Sequence, residues 1–167
     1  MKKFLVFLAA VSLVLPAALG AAISRAPYLG AIALDASDGR VLFEDGADRP
    51  GYPASMLKLM DLFVILDRVQ AGQLRLDETV PVTKEAFDMG GSQVWLDPRE
   101  TFPLEELLYA LMVQSANDAA MALAQHVGGS REGFVQLMNQ KARELGLSPV
   151  TQFQSPHGLP PAAGQRP

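Results

Sequence analysis

Two kinds of apolar pattern alternate along the 167-residue chain. Between Tyr28 and Glu44, apolar runs at 28–35 and 41–44 flank the turn-rich Ala36-Ser37-Asp38-Gly39-Arg40. That arrangement predicts a β-hairpin. From Ser55 to Gln70 the spacing changes: Met56, Leu59, Met60, Phe63 and Leu66 recur at helical intervals, with Pro53 leading in and Gly72 as the stop. Helical spacing returns at 103–112, 117–127 and 131–145, with Pro103 at an N1-like position and Gly128-Gly129 and Gly146 marking ends. Between these segments, Val80-Pro81-Val82 predicts a short extended piece. Residues 87–98, with Gly90-Gly91, Trp95 and little periodicity, predict a loop of the kind that borders sites. Val150 to Gln154 predicts a last strand, and the tail from Pro156 onward has no element-forming pattern. No repeat or heptad is present, and three strands would make only a thin sheet.

The first 22 residues follow a different logic. Lys2 and Lys3 precede the apolar run Phe4 to Leu15, then Pro16 and the small-residue stretch Ala17 to Ala22. This is the layout of a secretory signal peptide, and the apolar run is shorter than the roughly 20 residues of a spanning helix. The expectation is therefore a cleaved leader at 1–22, a folded part at 23–167, and an exported protein in a periplasmic or extracytoplasmic compartment.

Composition narrows the function classes. Hydrophobic residues make up 49% and charged residues 19%, as expected of one folded core rather than a disordered chain. The net charge of −4 and the lack of any lysine or arginine run argue against a nucleic-acid partner. With no cysteine there is no disulfide framework, and two distant histidines, His126 and His157, give no zinc-ligand spacing. No metal or cofactor is expected.

Two short segments carry candidate chemistry. In Ser55-Met56-Leu57-Lys58 the hydroxyl and amine lie three residues apart, on one face of a helix. A serine hydroxyl needs a base, and lysine serves only when burial or a neighbouring cation lowers its pKa. The apolar neighbours Met56, Leu57, Leu59 and Met60 are expected to supply that burial. A position near a helix start would also aim unpaired N–H groups at developing negative charge, as acyl transfer requires. The plainer alternative is that Ser55 caps the helix and Lys58 is solvated. In Ser115-Ala116-Asn117, a hydroxyl and an amide protrude from the junction of two helical segments. The hydroxyl would relay a proton, and the amide would hold Lys58 or a peptide backbone. Here the alternative is that either residue caps the following helix. For His157, in a proline-flanked turn, a structural hydrogen bond is expected, and Trp95 and Phe102 receive no role.

Several stretches together, in order and spacing, resemble the D-alanyl-D-alanine carboxypeptidases, the low-molecular-mass penicillin-binding proteins of the serine DD-peptidase group. They are the hairpin from Gly30 to Glu44, Pro53-Ala-Ser-Met-Leu-Lys-Leu-Met60, Val113-Gln-Ser-Ala-Asn-Asp-Ala-Ala120, Phe134 to Ala142, and Pro156-His-Gly-Leu-Pro160. The resemblance implies an α/β (α+β) fold of the serine β-lactamase/DD-peptidase type, an antiparallel sheet with a helical subdomain. It implies Ser55 as acyl-enzyme nucleophile, Lys58 as general base, Ser115 as proton relay and Asn117 as substrate contact. The implied substrate is a peptidoglycan stem peptide ending in D-Ala-D-Ala, with β-lactams acylating the same serine and no cofactor.

Departures from the pattern are Leu57 and Asp61 where threonine is common, Ala116 where glycine is frequent, and the absence of Lys-Thr-Gly or Lys-Ser-Gly. In the family that last motif lies on a late strand and binds the substrate carboxylate. These residues are therefore expected to be the N-terminal part of such a domain, poorly soluble and nearly inactive alone, with membrane association through a further C-terminal segment left open. A serine β-lactamase is the alternative enzyme, although its best-known class shows Ser-Asp-Asn and a separate deacylating glutamate. A non-catalytic peptidoglycan-binding or regulatory protein is the third reading, which a Lys-Thr-Gly further along the reading frame would exclude.

Overall fold

The computed structural model describes residues 28–147 and 149–160, so the leader expected at 1–22 lies outside the described residues. The chain divides into two compact units, one reaching to Gly51 and the other starting at Tyr52.

The first unit is the expected hairpin. Strand β1 (Ala31–Leu34) pairs antiparallel with β2 (Val41–Asp45), with Ala31 opposite Asp45 and a register irregularity between Ala33 and Leu34. Asp35 closes the turn: its carbonyl accepts from the Gly39 amide at 2.8 Å, and its carboxylate accepts from the amide and hydroxyl of Ser37. Gly39 takes φ +74°, a left-handed conformation that glycine adopts without steric cost.

The second unit is built around helices. The segment read as one helix from Ser55 begins instead as a 3-10 turn, Ala54–Leu57, which runs into α1 (Lys58–Gln70). The Met56 amide closes it on the Pro53 carbonyl at 3.1 Å, the tighter bonding common at helix starts. Helix α1 buries Lys58, Met60, Asp61, Val64 and Ile65, while Leu59, Phe63 and Leu66 form an exposed apolar stripe on its other side.

After α1, β3 (Thr79–Pro81) leads to the single-turn α2 (Lys84–Phe87), and β4 (Thr101–Pro103) returns to pair antiparallel with β3, Val80 opposite Phe102. Neither α2 nor β4 was expected. Thr83 starts α2 by accepting the Ala86 amide on its hydroxyl at 3.1 Å.

Three longer helices complete the unit: α3 (Leu104–Val113), α4 (Asn117–Gly128) and α5 (Arg131–Glu144). Helix α4 is central, packing on α1, α2, α3, α5 and β3, and every residue from Asn117 to Ala124 is buried. Its alanines at 119, 120, 122 and 124 let these neighbours approach closely, and Ile65, Leu107, Leu111, Phe134 and Met138 fill the space around it. Gly129, at φ +72°, ends α4, and the Ser130 hydroxyl caps α5 by accepting the Gly133 amide at 3.0 Å.

One sequence expectation is corrected. Val150 to Gln154 is not a strand. Asn139 of α5 acts as its partner instead, donating from Nδ2 to the Phe153 carbonyl and accepting the Phe153 amide on Oδ1, both at 2.8 Å. One amide side chain thereby satisfies both backbone groups that a neighbouring strand would have paired. The architecture is α/β, with helices and two separate two-stranded antiparallel sheets.

Candidate active site

The 3-10 turn before α1, the α3–α4 junction and the turn at 155–159 converge on one side chain, Lys58, and the loop after α2 is tied to this cluster through Asn117. Its Nζ donates to Asn117 Oδ1 at 2.7 Å, to the Ser115 carbonyl at 2.9 Å, and lies 3.2 Å from both Ser55 Oγ and Ser115 Oγ. The His157 carbonyl stands at 3.4 Å. Every oxygen in this ring is neutral.

Local backbone geometry sets these distances. Ala54 and Ser115 both hold left-handed conformations, φ +49° and +57°, unusual for residues with a Cβ and costly unless the surroundings fix them. The twist at Ala54 delivers Ser55 at the mouth of the 3-10 turn, and the twist at Ser115 turns its carbonyl and hydroxyl back toward Lys58. Neither helix uses these residues as side-chain caps: Pro53 and Leu57 precede the 3-10 turn and α1, Ala116 precedes α4, and none of the three makes a side-chain cap. The capping alternative for Ser55, Ser115 and Asn117 therefore falls away.

Exposure separates the two partners. Ser55 is exposed, whereas Lys58 is only 2% exposed. Of the four apolar neighbours expected to bury the lysine, Met60 is buried and Leu57 half-buried, whereas Met56 and Leu59 are 70% and 53% exposed. The residues that ring Nζ complete the burial. It lowers the Lys58 pKa from the ordinary lysine value, and the carboxylate of Asp61 opposes the change. A neutral Lys58 can keep donating to Asn117 Oδ1 and the Ser115 carbonyl while its lone pair accepts a serine proton. That is the arrangement of an activated nucleophile.

Asn117 has a second task. Its Nδ2 donates to the Gly90 carbonyl and its backbone amide to the Ser92 carbonyl, both at 2.8 Å, while the Ser92 hydroxyl donates to the Gln114 carbonyl at 2.7 Å. The neighbouring Asp118, fully buried, accepts the amides of Leu96 at 3.1 Å and Val94 at 3.2 Å. The loop read at 87–98 is thus stitched to the start of α4. Across the site, Gly158 at φ +73° lies so close to the nucleophile that a Cβ there would overlap the Ala54 carbonyl and stand 3.1 Å from the Ser55 amide. His157 Nδ1 accepts the Leu159 amide at 3.1 Å, the structural bond expected of it. Burial, with Lys58 and Arg131 adding to it, lowers the imidazole pKa to about 4, so the ring is neutral near pH 7. Among the described residues no group of three or more His, Cys, Asp or Glu side chains could hold a metal ion.

The family of D-alanyl-D-alanine carboxypeptidases, peptidase S11, matches residues 26–163. The chain belongs to this family. It is 37% identical over 129 residues to the D-alanyl-D-alanine carboxypeptidase DacF of Bacillus subtilis, covering 77% of this chain and 33% of that one. Among solved structures it resembles the D-alanyl-D-alanine carboxypeptidase DacD of Francisella tularensis, with TM-score 0.77 and 28% identity over 97% of this chain and 36% of that one. It also resembles penicillin-binding protein D2 of Listeria monocytogenes in its cefotaxime-bound form, with TM-score 0.70 and 30% identity over 80% of this chain and 53% of that one. The chain spans about a third of the length of the curated relatives it matches.

Within this carboxypeptidase-family chain, the four residues singled out from the sequence, Ser55, Lys58, Ser115 and Asn117, meet around one amine. Sequence reasoning missed the carbonyls of Gly90 and His157, the loop anchor Asp118 and the close approach of Gly158. Gly90-Gly91 and Gly158 carried the available signal, since glycine marks places where backbone and side chain come close. Gly91 shows the same economy: a Cβ there would stand 2.7 Å from Asn117 Nδ2.

Proposed function

We propose that the protein is a serine-type D-Ala-D-Ala carboxypeptidase acting on peptidoglycan stem peptides through an acyl-enzyme at Ser55, and that β-lactams acylate the same hydroxyl. The observation that carries the reading is the placement of Lys58 Nζ, 3.2 Å from both Ser55 Oγ and Ser115 Oγ and held by Asn117 Oδ1. One base touches both the nucleophile and a second hydroxyl, which is what a two-way proton path needs.

In this mechanism neutral Lys58 takes the Ser55 proton as Oγ bonds to the carbonyl carbon of the penultimate D-alanine. The proton then passes through the Ser115 hydroxyl to the departing nitrogen, the C–N bond breaks, and D-alanine leaves. Water, deprotonated along the same path in reverse, attacks the ester and frees Ser55. The Asn117 amide, fixed by Gly90, keeps Lys58 from turning away and borders the peptide.

The terminal carboxylate of such a substrate requires a cation. Among the described lysines, Lys58 is committed to the base role, Lys84 pairs with Asp88 at 2.6 Å, and Lys141 pairs with Asp67. In the family pattern that task falls to a Lys-Thr-Gly or Lys-Ser-Gly motif, which residues 1–167 do not contain. The signal-peptide layout at 1–22 supports an exported, periplasmic or extracytoplasmic enzyme of cell-wall remodelling, where its polymeric substrate lies. Among the described residues no helix is long and apolar enough to cross a membrane.

The test is release of free D-alanine from a stem pentapeptide by the protein expressed from its complete reading frame. Release from a D-Ala-D-Ala terminus, and none from the D-Ala-L-Ala epimer or from the Ser55→Ala variant, supports the reading. Release that persists in Ser55→Ala rejects it.

A further inference from the structure

Asp61 lies one turn beyond Lys58 on the buried side of α1. It is 1% exposed, and neither carboxylate oxygen has a hydrogen-bond partner among the described residues. An ionisable group in that condition is costly and adds nothing to packing that an apolar side chain would not.

Among the described residues, a single charged neighbour acts on Asp61. Helix α1 packs on the 3-10 turn, α3, α4 and α5. On α5, Lys141 pairs with Asp67 and Glu144, Arg131 pairs with Glu132, and Arg143 is exposed. On α3, Glu105, Glu106 and Tyr109 are exposed. On α4, Asp118 accepts backbone amides and His126 pairs with Glu78. The 3-10 turn carries no charge, and the charge that acts on Asp61 is Lys58. The three-residue spacing puts the two side chains on one helix face, about 5–6 Å apart at Cβ. Among the described residues, the five oxygens around Lys58 Nζ are neutral, the His157 imidazole nearby is neutral near pH 7, and Asp61 supplies the negative charge acting on the amine.

We propose that Asp61 is a positioning residue that sets the proton affinity of Lys58, so that the pH range in which Ser55 is activated belongs to the Lys58–Asp61 pair and not to the lysine alone. The inference rests on the reading of Lys58 as the base. Burial pushes the two groups in opposite senses, Lys58 down and Asp61 well up, while their mutual attraction opposes both changes. An ionised Asp61 holds the proton on Lys58 and restrains the base, and a protonated Asp61 releases that restraint. Their attraction lowers the Asp61 step and raises the Lys58 step, so each midpoint depends on the charge of the other group.

The experiment follows both groups directly, in protein from the complete reading frame labelled with 13C in lysine and aspartate. The Lys58 13Cε resonance is the one lost in Lys58→Arg. In Asp61→Asn the Lys58 midpoint is expected to fall by about one to three pH units, the range for loss of a nearby opposite charge. The acid limb of Ser55 acylation by a fluorescent penicillin should move with it. Asp61→Thr, also neutral, should shift the midpoint in the same direction, and Asp61→Glu should restore it. In the unsubstituted protein, which needs no variant to fold, the Lys58 resonance should show a second, smaller inflection at the Asp61 midpoint. An unmoved or raised Lys58 midpoint in the neutral variants, or a Lys58 resonance in the unsubstituted protein that does not respond as Asp61 titrates, would overturn the proposal. The titration needs no turnover, so a protein that titrates as described yet is never acylated would count against the proposed function and not against this coupling.

Discussion

Lys58 Nζ and Asn117 Oδ1 are 2.7 Å apart although 59 residues separate them in sequence, and this is the shortest contact Lys58 makes. Asn117 is in turn tied to the Gly90 carbonyl, so one amide holds both the base and the loop beside it. Asn117→Ala leaves the buried Lys58 short of a partner, at a cost of about 1–3 kcal/mol, and unties the exposed Gly90 from α4. The melting temperature should fall, and the rate of Ser55 labelling by a fluorescent penicillin should fall with it. Equal labelling rates would separate Asn117 from the base.

Lys58→Arg keeps a cation in the ring of acceptors but cannot give up a proton. Labelling of Ser55 should drop by about 10²- to 10⁴-fold, the usual contribution of a positioned base. Ser55→Ala should abolish labelling with little change in melting temperature, because Ser55 is exposed and caps no helix.

Gly158 connects the turn at 155–159 to the backbone before the nucleophile. In Gly158→Ala the new methyl group must displace the Ala54 carbonyl, and the residue must hold φ +73° against its own Cβ. Stopped-flow acylation should show a slower step at Ser55, with a matching loss of thermal stability. Wild-type kinetics would mean that the turn is free to move away.

Asp61 gives a stability prediction of definite sign. Its folded pKa is raised above the ordinary aspartate value by burial, so the folded chain binds more protons than the unfolded one between those two values. The stability this proton binding contributes is present in full below the unfolded pKa and is lost as pH rises through the folded one. Asp61→Asn should therefore be more stable than the unsubstituted protein at neutral pH, and the difference should shrink when both melt near pH 3.5, below the ordinary aspartate value of 3.8. A gap that is constant with pH would show that the carboxylate is not the source.

The parts of the site that were legible in the sequence are those set by local spacing. Ser55 and Lys58 share a face because one turn separates them, and Ser115 and Asn117 stand at a junction that the apolar periodicity on either side marks out. What was not legible depends on distant chain. Gly90 reaches Asn117 across 27 residues, and His157 reaches Lys58 across 99. The source of Lys58 burial was only half legible for the same reason: Leu57 and Met60 turn inward as expected, Met56 and Leu59 face outward, and further cover comes from residues far along the chain. In the fold, the hairpin and long helices followed their patterns, whereas α2 and β4 are too short to show a period. Val150 to Gln154 has strand-like composition, but the hydrogen-bond partner it meets is the side chain of Asn139, which no backbone pattern announces.

The most direct test of the account is the site and lifetime of the adduct formed when the protein from the complete reading frame is mixed with benzylpenicillin and analysed by intact and peptide mass spectrometry. The account predicts one penicilloyl group per molecule, on the peptide containing Ser55, long-lived and absent in Ser55→Ala. An adduct on another residue, no adduct, or rapid release of hydrolysed penicillin without accumulation would contradict it.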